Sequence, residues 1–399
     1  MAKICITCAG FKKKDLHKQP WAYVNDIAET LSHNGSDVVL VTDGKREHFN
    51  IGNIKIIRVP RLWKWFSFMG YTSETLEIIK KEYPDIVIEV IGPSSFIGTS
   101  SGLDKLSQEL GIPLIGILMA PIYRVSEIAN IGLRELLLHY SYIMSDAIGS
   151  LIPKILVRRK SQTYSKLVVL TYFNRQRLIE KGVSIPLKVI PAKIKSEWFY
   201  PVDTKLRDKI KADIGIDKIP TIIYFTSPLT LRGTDTLILA FSRLNKELKA
   251  KLIFLSRQDK KAKKEEAYLK HLMDKLSLQN VVIVSRNLKL DELKAYLSTA
   301  TIIALPFKII VSDFPLSILE SMALKKPVVS TNVGGISEVL GCTQVVPPNN
   351  VNELAKRLKL ILSNPKLRKK LMKRNYLVAK TMNKEFDKNI TKVIKEVLR

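Results

Sequence analysis

Cysteine, acidic side chains and long apolar runs are what this 399-residue chain has least of. Three cysteines, Cys5, Cys8 and Cys342, cannot build a disulfide framework, which excludes the stapled secreted class and makes a reduced, cytoplasmic setting the expectation. No basic segment followed by an apolar one opens the sequence in the manner of a secretory leader. The least charged stretch, Gly111 to Tyr123, carries two prolines and falls short of the ~18 residues of a spanning helix. Glycine and proline, 18 each, are too sparse for a collagen-like or low-complexity chain. An Asp-x-Asp metal pair is absent, and no second cysteine pair completes a zinc site with Cys5 and Cys8, so no metal or cofactor is expected and both cysteines read as buried strand residues.

What is present in excess is positive charge. Lys and Arg number 65 against 37 Asp and Glu, a formal net charge of +28. Such a surface favours an anionic partner, whether nucleic acid, an acidic membrane or a phosphorylated small molecule. The length suits two domains.

Short apolar strands alternate with helices along the chain. Strands are expected at Ile4–Cys8, Asp37–Thr42, Asp85–Ile91, Pro113–Leu118, Lys166–Thr171 and Leu187–Ile190, with helices from Trp21 to His33 and after Asn174. A charged stretch, Pro201 to Lys218, interrupts the rhythm and marks a boundary. Strands then recur at Thr221–Phe225, Ala250–Leu255, Val281–Val284, Thr301–Ala304 and Pro327–Ser330, and the chain finishes in three amphipathic basic helices, 351–362, 365–381 and 384–398. Alternation of this kind predicts two parallel, doubly wound α/β domains. The lysine-dense run Lys260 to Glu266 reads as a solvent-facing helix.

Ser312 to Val339 is the stretch richest in chemistry, reading as helix, strand, glycine turn and helix. Ser312 or Asp313 can cap the first helix, with Pro315 in its first turn. Glu320 follows Ser312 by a little over two helical turns, which would put both near one face. A carboxylate there can accept from vicinal hydroxyls, and Gly334-Gly335 can let backbone amides approach phosphate oxygens. A surface glutamate and a plain turn fit the same letters.

The pattern Phe314-Pro315-Leu316-x3-Glu320-x-Met322-Ala323-x3-Pro327-Val328-Val329-x3-Val333-Gly334-Gly335-Ile336-x-Glu338-Val339 resembles the donor segment of retaining glycosyltransferases of family four, which have the GT-B fold. The resemblance extends to Tyr224 to Gly233, and to Lys188–Pro191 followed by Trp198–Pro201, similar to the family's interdomain segment. It implies two Rossmann-like doubly wound domains facing across a cleft: residues 1–203 binding the acceptor, 204–380 binding a nucleoside-diphosphate sugar, and 381–399 packing back on the first domain.

The same resemblance puts Glu320 on the ribose and Arg232 on the diphosphate, with Gly10, Ser227, Gly233, Ser312, Asp313, Phe314, Pro315, Leu316, Gly334 and Gly335 around the donor. The family's first glutamate is replaced by Ser312, one of its two cations by Ser227, and its histidine by Met119; Tyr123 and Arg124 lie nearby without assignable roles. His17, His33 and His48 are read in loops, His139 and His271 in helices. The implied reaction is metal-independent hexose transfer with retention to a glycan or lipid-linked acceptor, with Trp63 to Met69 as an aromatic and basic segment suited to a membrane interface. A catalytically degraded domain binding nucleic acid or membrane is the alternative from another class. An epimerase or phosphorylase on the same fold is the third.

Overall fold

The computed structural model describes residues 2–64, 69–98, 100–216, 219–256 and 260–398. Eight strands, β1 (Lys3–Thr7), β2 (Asp37–Asp43), β3 (Glu47–Ile51), β4 (Ile54–Val59), β5 (Ile86–Ile91), β6 (Leu114–Leu118), β7 (Lys166–Val169) and β8 (Leu187–Val189), form one sheet in the order β3-β4-β2-β1-β5-β6-β7-β8. Every neighbouring pair is parallel except β3 with β4. The second sheet has six strands, β9 (Thr221–Tyr224), β10 (Lys251–Ser256), β11 (Val281–Ser285), β12 (Ile302–Leu305), β13 (Val328–Thr331) and β14 (Val345–Val346), in the all-parallel order β11-β10-β9-β12-β13-β14. Central strands such as β1, β9 and β12 are apolar on both faces because helices cover both, the burial expected of parallel sheets.

The expected strands are all present, with ends displaced by a residue or two. The β3–β4 hairpin is an addition. Its first strand, Glu-His-Phe-Asn-Ile, is a half-exposed edge without an apolar run, so nothing in its letters separates it from a loop. The charged stretch after Pro201 is not irregular: it contains the helix Thr204–Ile214, capped by the Asp203 carboxylate on the Leu206 N–H at 3.1 Å and closed by Gly215.

The two C-terminal helices read at 365–381 and 384–398 are one helix, Pro365–Val397. No glycine or proline interrupts Thr381-Met382-Asn383, so the backbone ladder has no reason to break. Its first half packs on the second sheet's helices, where Asn375 bonds Gln344 and the Lys326 carbonyl. Its second half lies on the first domain: the Asn383 amide pairs with both backbone groups of Ile194, Asp387 meets Thr30 and Lys193, and Phe386 stands edge-on to Tyr23 at 5.4 Å.

Candidate functional site

In each sheet the chain winds outward from one strand in both directions. That reversal falls between β1 and β5 in the first sheet and between β9 and β12 in the second. Loops leaving the carboxyl ends of strands flanking such a reversal form a crevice, the usual ligand position in open α/β sheets. In the second domain the loop after β9 holds Ser227, Arg232 and Gly233, the segment after β12 holds Ser312 to Glu320, and the turn after β13 holds Gly334 and Gly335. The structure therefore gathers these residues at three adjacent strand ends spanning the reversal. Gly10 occupies the loop after β1, the equivalent position of the first domain, with its N–H on Asp43 at 2.6 Å.

Gly233 has φ of +76°, and a β-carbon there would stand 1.8 Å from the Pro306 carbonyl oxygen, so the loops after β9 and β12 touch only because position 233 is glycine. It opens the helix Thr234–Asn245, whose first turn, with the Thr236 N–H on the Asp235 carboxylate at 2.8 Å, follows half-buried Arg232. Ser227 is half-buried, and its carbonyl accepts from the Tyr224 hydroxyl at 2.7 Å.

The helix after β12 runs Leu316–Ala323, with Pro315 as its N-cap and no side-chain cap bond. Ser312 and Asp313 thus precede the helix instead of capping it, and the two-turn spacing from Ser312 to Glu320 is not a helical one, because the backbone from 311 to 315 is irregular. Phe314 is buried in the core, while Leu316 and Glu320 are half-buried.

Asp313 points at the opposite domain. Its Oδ2 accepts from the Leu170 N–H at 2.8 Å and its Oδ1 from the Thr171 hydroxyl at 2.7 Å, while its own N–H donates to the Met119 carbonyl at 2.9 Å. Burial pushes the Asp313 carboxyl up to about 7 against the bonds from Thr171 and Leu170, which favour the charged form. The carboxyl that sequence placed beside a donor is therefore engaged within the protein in this conformation. Glu338 does similar work from the short helix Ile336–Leu340 that follows the turn after β13, accepting from the Tyr172 N–H at 2.8 Å and the Phe173 N–H at 2.5 Å at the start of the helix Tyr172–Glu180. Burial raises its pKa, opposed by those two amides. Between the two carboxylates, a β-carbon on Gly335 would strike the Thr171 side chain at 2.3 Å, and one on Gly334 would meet Ile310 at 2.7 Å. The Tyr123 hydroxyl donates to the Ile310 carbonyl at 3.0 Å and accepts from its N–H at 3.2 Å.

A second contact spans the domains at the loop after β9. From the helix Leu133–Leu138, Glu135 accepts from the buried Lys308 ammonium at 3.0 Å, and Lys308 also reaches Asp235 at 2.7 Å. Burial pushes Glu135 up, but the Lys308 charge and hydrogen bond outweigh it and hold the carboxyl below its ordinary value. His139 lies between two helices instead of inside one, buried, with Nε2 at 3.4 Å from the Thr230 hydroxyl and 3.5 Å from Glu265. Glu265 accepts from the Thr230 N–H at 3.2 Å. The run from 260 to 266 is thus only partly solvent-facing, since its helix, Lys260–Lys275, turns Glu265 and Glu266 inward. Lys308 and Thr171 escaped sequence reasoning, because a lone lysine and a threonine carry no local pattern that predicts a partner on another domain; Glu338 stood in the family-like pattern, but without a sign of its partner.

Among the remaining candidates, Cys5 and Cys8 are buried strand and loop residues whose thiols burial pushes up, Cys5 to about 12. His33 ends the helix Trp21–His33 and His48 lies in β3, so neither is in a loop. Trp63 packs against Tyr71, centroids 6.3 Å apart; Trp65, Phe66, Ser67 and Phe68 of the Trp63 to Met69 segment lie outside the described residues.

Two doubly wound units facing across a cleft constitute the GT-B architecture of glycosyltransferases. A sucrose-phosphate synthase from Thermosynechococcus elongatus shares it with a TM-score of 0.73 at 15% identity, over 100% of this chain and 99% of that one. Anabaena HepE, solved in complex with UDP and glucose, gives 0.66 at 13% identity over the same shares. Residues 207–378, a little under half of the chain, match the family described as Glycosyl transferases group 1. An MMP alpha-(1->4)-mannosyltransferase of Mycolicibacterium hassiacum is 25% identical over 288 residues, 70% of this chain and 62% of that relative's length.

Proposed function

We propose that this chain is a retaining hexosyltransferase that moves a sugar from a nucleoside diphosphate to an acceptor hydroxyl, on a glycan or a lipid-linked molecule. The observation that carries the reading is the convergence of Arg232, Glu320 and Gly334-Gly335 at three strand ends spanning the β9/β12 reversal. The mannosyltransferase relative and the UDP and glucose held by a fold relative agree with it. Residues 204–380 hold the donor, 1–203 the acceptor, and 381–399 return to the first domain.

Departure of the nucleoside diphosphate is the step that develops charge. Arg232 and the first amides of the helix Thr234–Asn245 neutralise it, with Gly10 approaching from the opposite domain and Ser227 offering a hydroxyl in place of a cation. Glu320 accepts from the ribose hydroxyls, Pro315 and Leu316 line the approach with Ser312 while Phe314 anchors their loop in the core, and Asp313 acts as a positioning residue through its contact with Leu170 and Thr171. Gly334 and Gly335 are packed against Ile310 and Thr171, so the donor enters when these contacts part, and their return excludes water that would hydrolyse it. None of these residues requires a metal for the roles given.

Thermal unfolding with UDP-, GDP-, ADP- and dTDP-sugars tests the site, since a ligand bound only by the folded state raises its melting temperature. One nucleotide family should stabilise the parent and lose its effect in Glu320→Ala. A flat response in the parent at millimolar ligand, with the fold intact, would defeat the reading. Product analysis then separates transfer, which glycosylates an acceptor, from phosphorolysis or epimerisation, which do not.

A further inference from the structure

Between Tyr123 and β7 the first domain inserts four short helices, of which Val125–Ala129, Leu133–Leu138 and Tyr140–Leu151 lead into Lys154–Ser161. Their outer faces are apolar. Leu133 and Leu137, one turn apart, are 73% and 68% exposed. On the next helix Tyr140, Met144 and Leu151 fall within about 40° of one another at 3.6 residues per turn, all at least 50% exposed, while Ile143, flanking that stripe, is buried. Ile155, 72% exposed, extends the apolar surface onto the last helix. A monomer leaves single apolar side chains in water routinely; successive helices each presenting them is a different matter.

Among the described side chains, the exposed charges beside Ile155 are positive. Lys154, Arg158 and Arg159 are exposed beside Ile155. Among the described side chains, the acids of the same segment are taken: Glu127 by Arg177 at 2.7 Å and Glu135, buried, by Lys308. We infer that residues 125–159 form a docking surface for an anionic lipid bilayer, with the apolar side chains entering the interface and the arginines meeting headgroup phosphates. A second copy of the chain suits the surface poorly, because each copy carries +28 and the same basic flank. Among the described residues no helix is long and apolar enough to cross a membrane, so the contact lies in the interface plane.

The surface adjoins the cleft, since Tyr123, just ahead of it, bonds Ile310, and the segment itself supplies His139 and Glu135 to the loop after β9 and to Lys308. Docking there would present the mouth between the domains to the bilayer. The docking stands apart from the reaction proposed above; what rests on that reading is that the acceptor hydroxyl belongs to a membrane-held molecule.

Vesicle sedimentation of the full chain tests this. With phosphatidylglycerol and phosphatidylcholine in equal parts at low salt the parent should co-sediment, and Leu133→Ser/Leu137→Ser/Leu151→Ser/Ile155→Ser should reduce partitioning about tenfold or more. Arg158→Glu/Arg159→Glu should weaken it as well, whereas Lys369→Glu/Lys370→Glu, the same charge change on an exposed part of the C-terminal helix, should leave it near the parent. All the substituted side chains are exposed, and an unchanged melting temperature certifies each fold. The inference is overturned if the parent stays in solution, if the quadruple variant binds as the parent does, or if light scattering without vesicles shows a parent dimer that the quadruple variant loses. Nucleotide-dependent thermal shifts, read on the same variants without lipid, report on donor binding separately.

Discussion

A single missing β-carbon holds the loops after β9 and β12 together. Gly233 combines φ of +76° with an approach to the Pro306 carbonyl that no side chain survives, so strain and collision add. Gly52, with φ of +56° and open space around it, carries the strain alone. Urea unfolding should find Gly233→Ala destabilised by about 3 kcal/mol or more and Gly52→Ala by about 1 kcal/mol. Equal losses would mean that the loop after β12 moves aside freely. At this scale the sequence is informative but incomplete. The glycine after Arg232 is visible as a letter within the family-like pattern, yet its collision partner lies 73 residues further on, at Pro306, and only the fold brings the two together.

Helices show where one-dimensional reading stops. The helix Leu316–Ala323 begins later than its capping letters imply, because the Asp313 carboxyl finds stronger partners across the cleft than the amides three residues ahead of it. The helix Tyr172–Glu180 shows the reverse arrangement: its first amides are met by Glu338, 166 residues away in sequence. Two N–H groups on one carboxylate at a helix start are charge-assisted bonds favoured by the helix dipole. Glu338→Gln keeps the shape but turns an amide hydrogen toward one of these donors, and should cost about 1.5 kcal/mol in chemical denaturation near neutral pH. No measurable loss would show that solvent replaces the carboxylate without penalty. Most strand positions were legible because parallel sheets write apolar runs; the β3 edge and the two-residue β14 write none, and β4, Ile-Lys-Ile-Ile-Arg-Val, went unread although its letters suit a strand.

For the whole molecule, the alternation of strands and helices announces two doubly wound domains, but not that they meet in this conformation through buried acids. Asp313 sits at that meeting with its pKa raised from 3.8 to about 7. A carboxyl raised on folding binds a proton more tightly in the folded chain, so the stability it contributes is complete below about pH 4 and drains away as pH rises through about 7. Asp26, on the helix facing Lys193 and Asp387, is pushed by burial to about 7 and acts in the same window. Asp313→Asn keeps acceptor and donor atoms but cannot ionise. Its melting temperature should therefore fall less than the parent's between about pH 5 and about pH 8; parallel curves would remove Asp313 from the account of closure.

The polypeptide passes between its two domains twice, once through residues 191–203 and once along the helix Pro365–Val397, whose Asn375 is held by the second domain and whose Asn383 by the first. Those asparagines are eight residues apart, about 12 Å of helix. The two passages also touch, Phe199 against Tyr376 at 6.0 Å. Both hinge leaves are thus pinned at one place, and the swing left to them is rotation about an axis through that pin. A rotation about that pin would part, on the side away from it, the bonds that Asp313, Glu338, Tyr123 and Lys308 make between the domains.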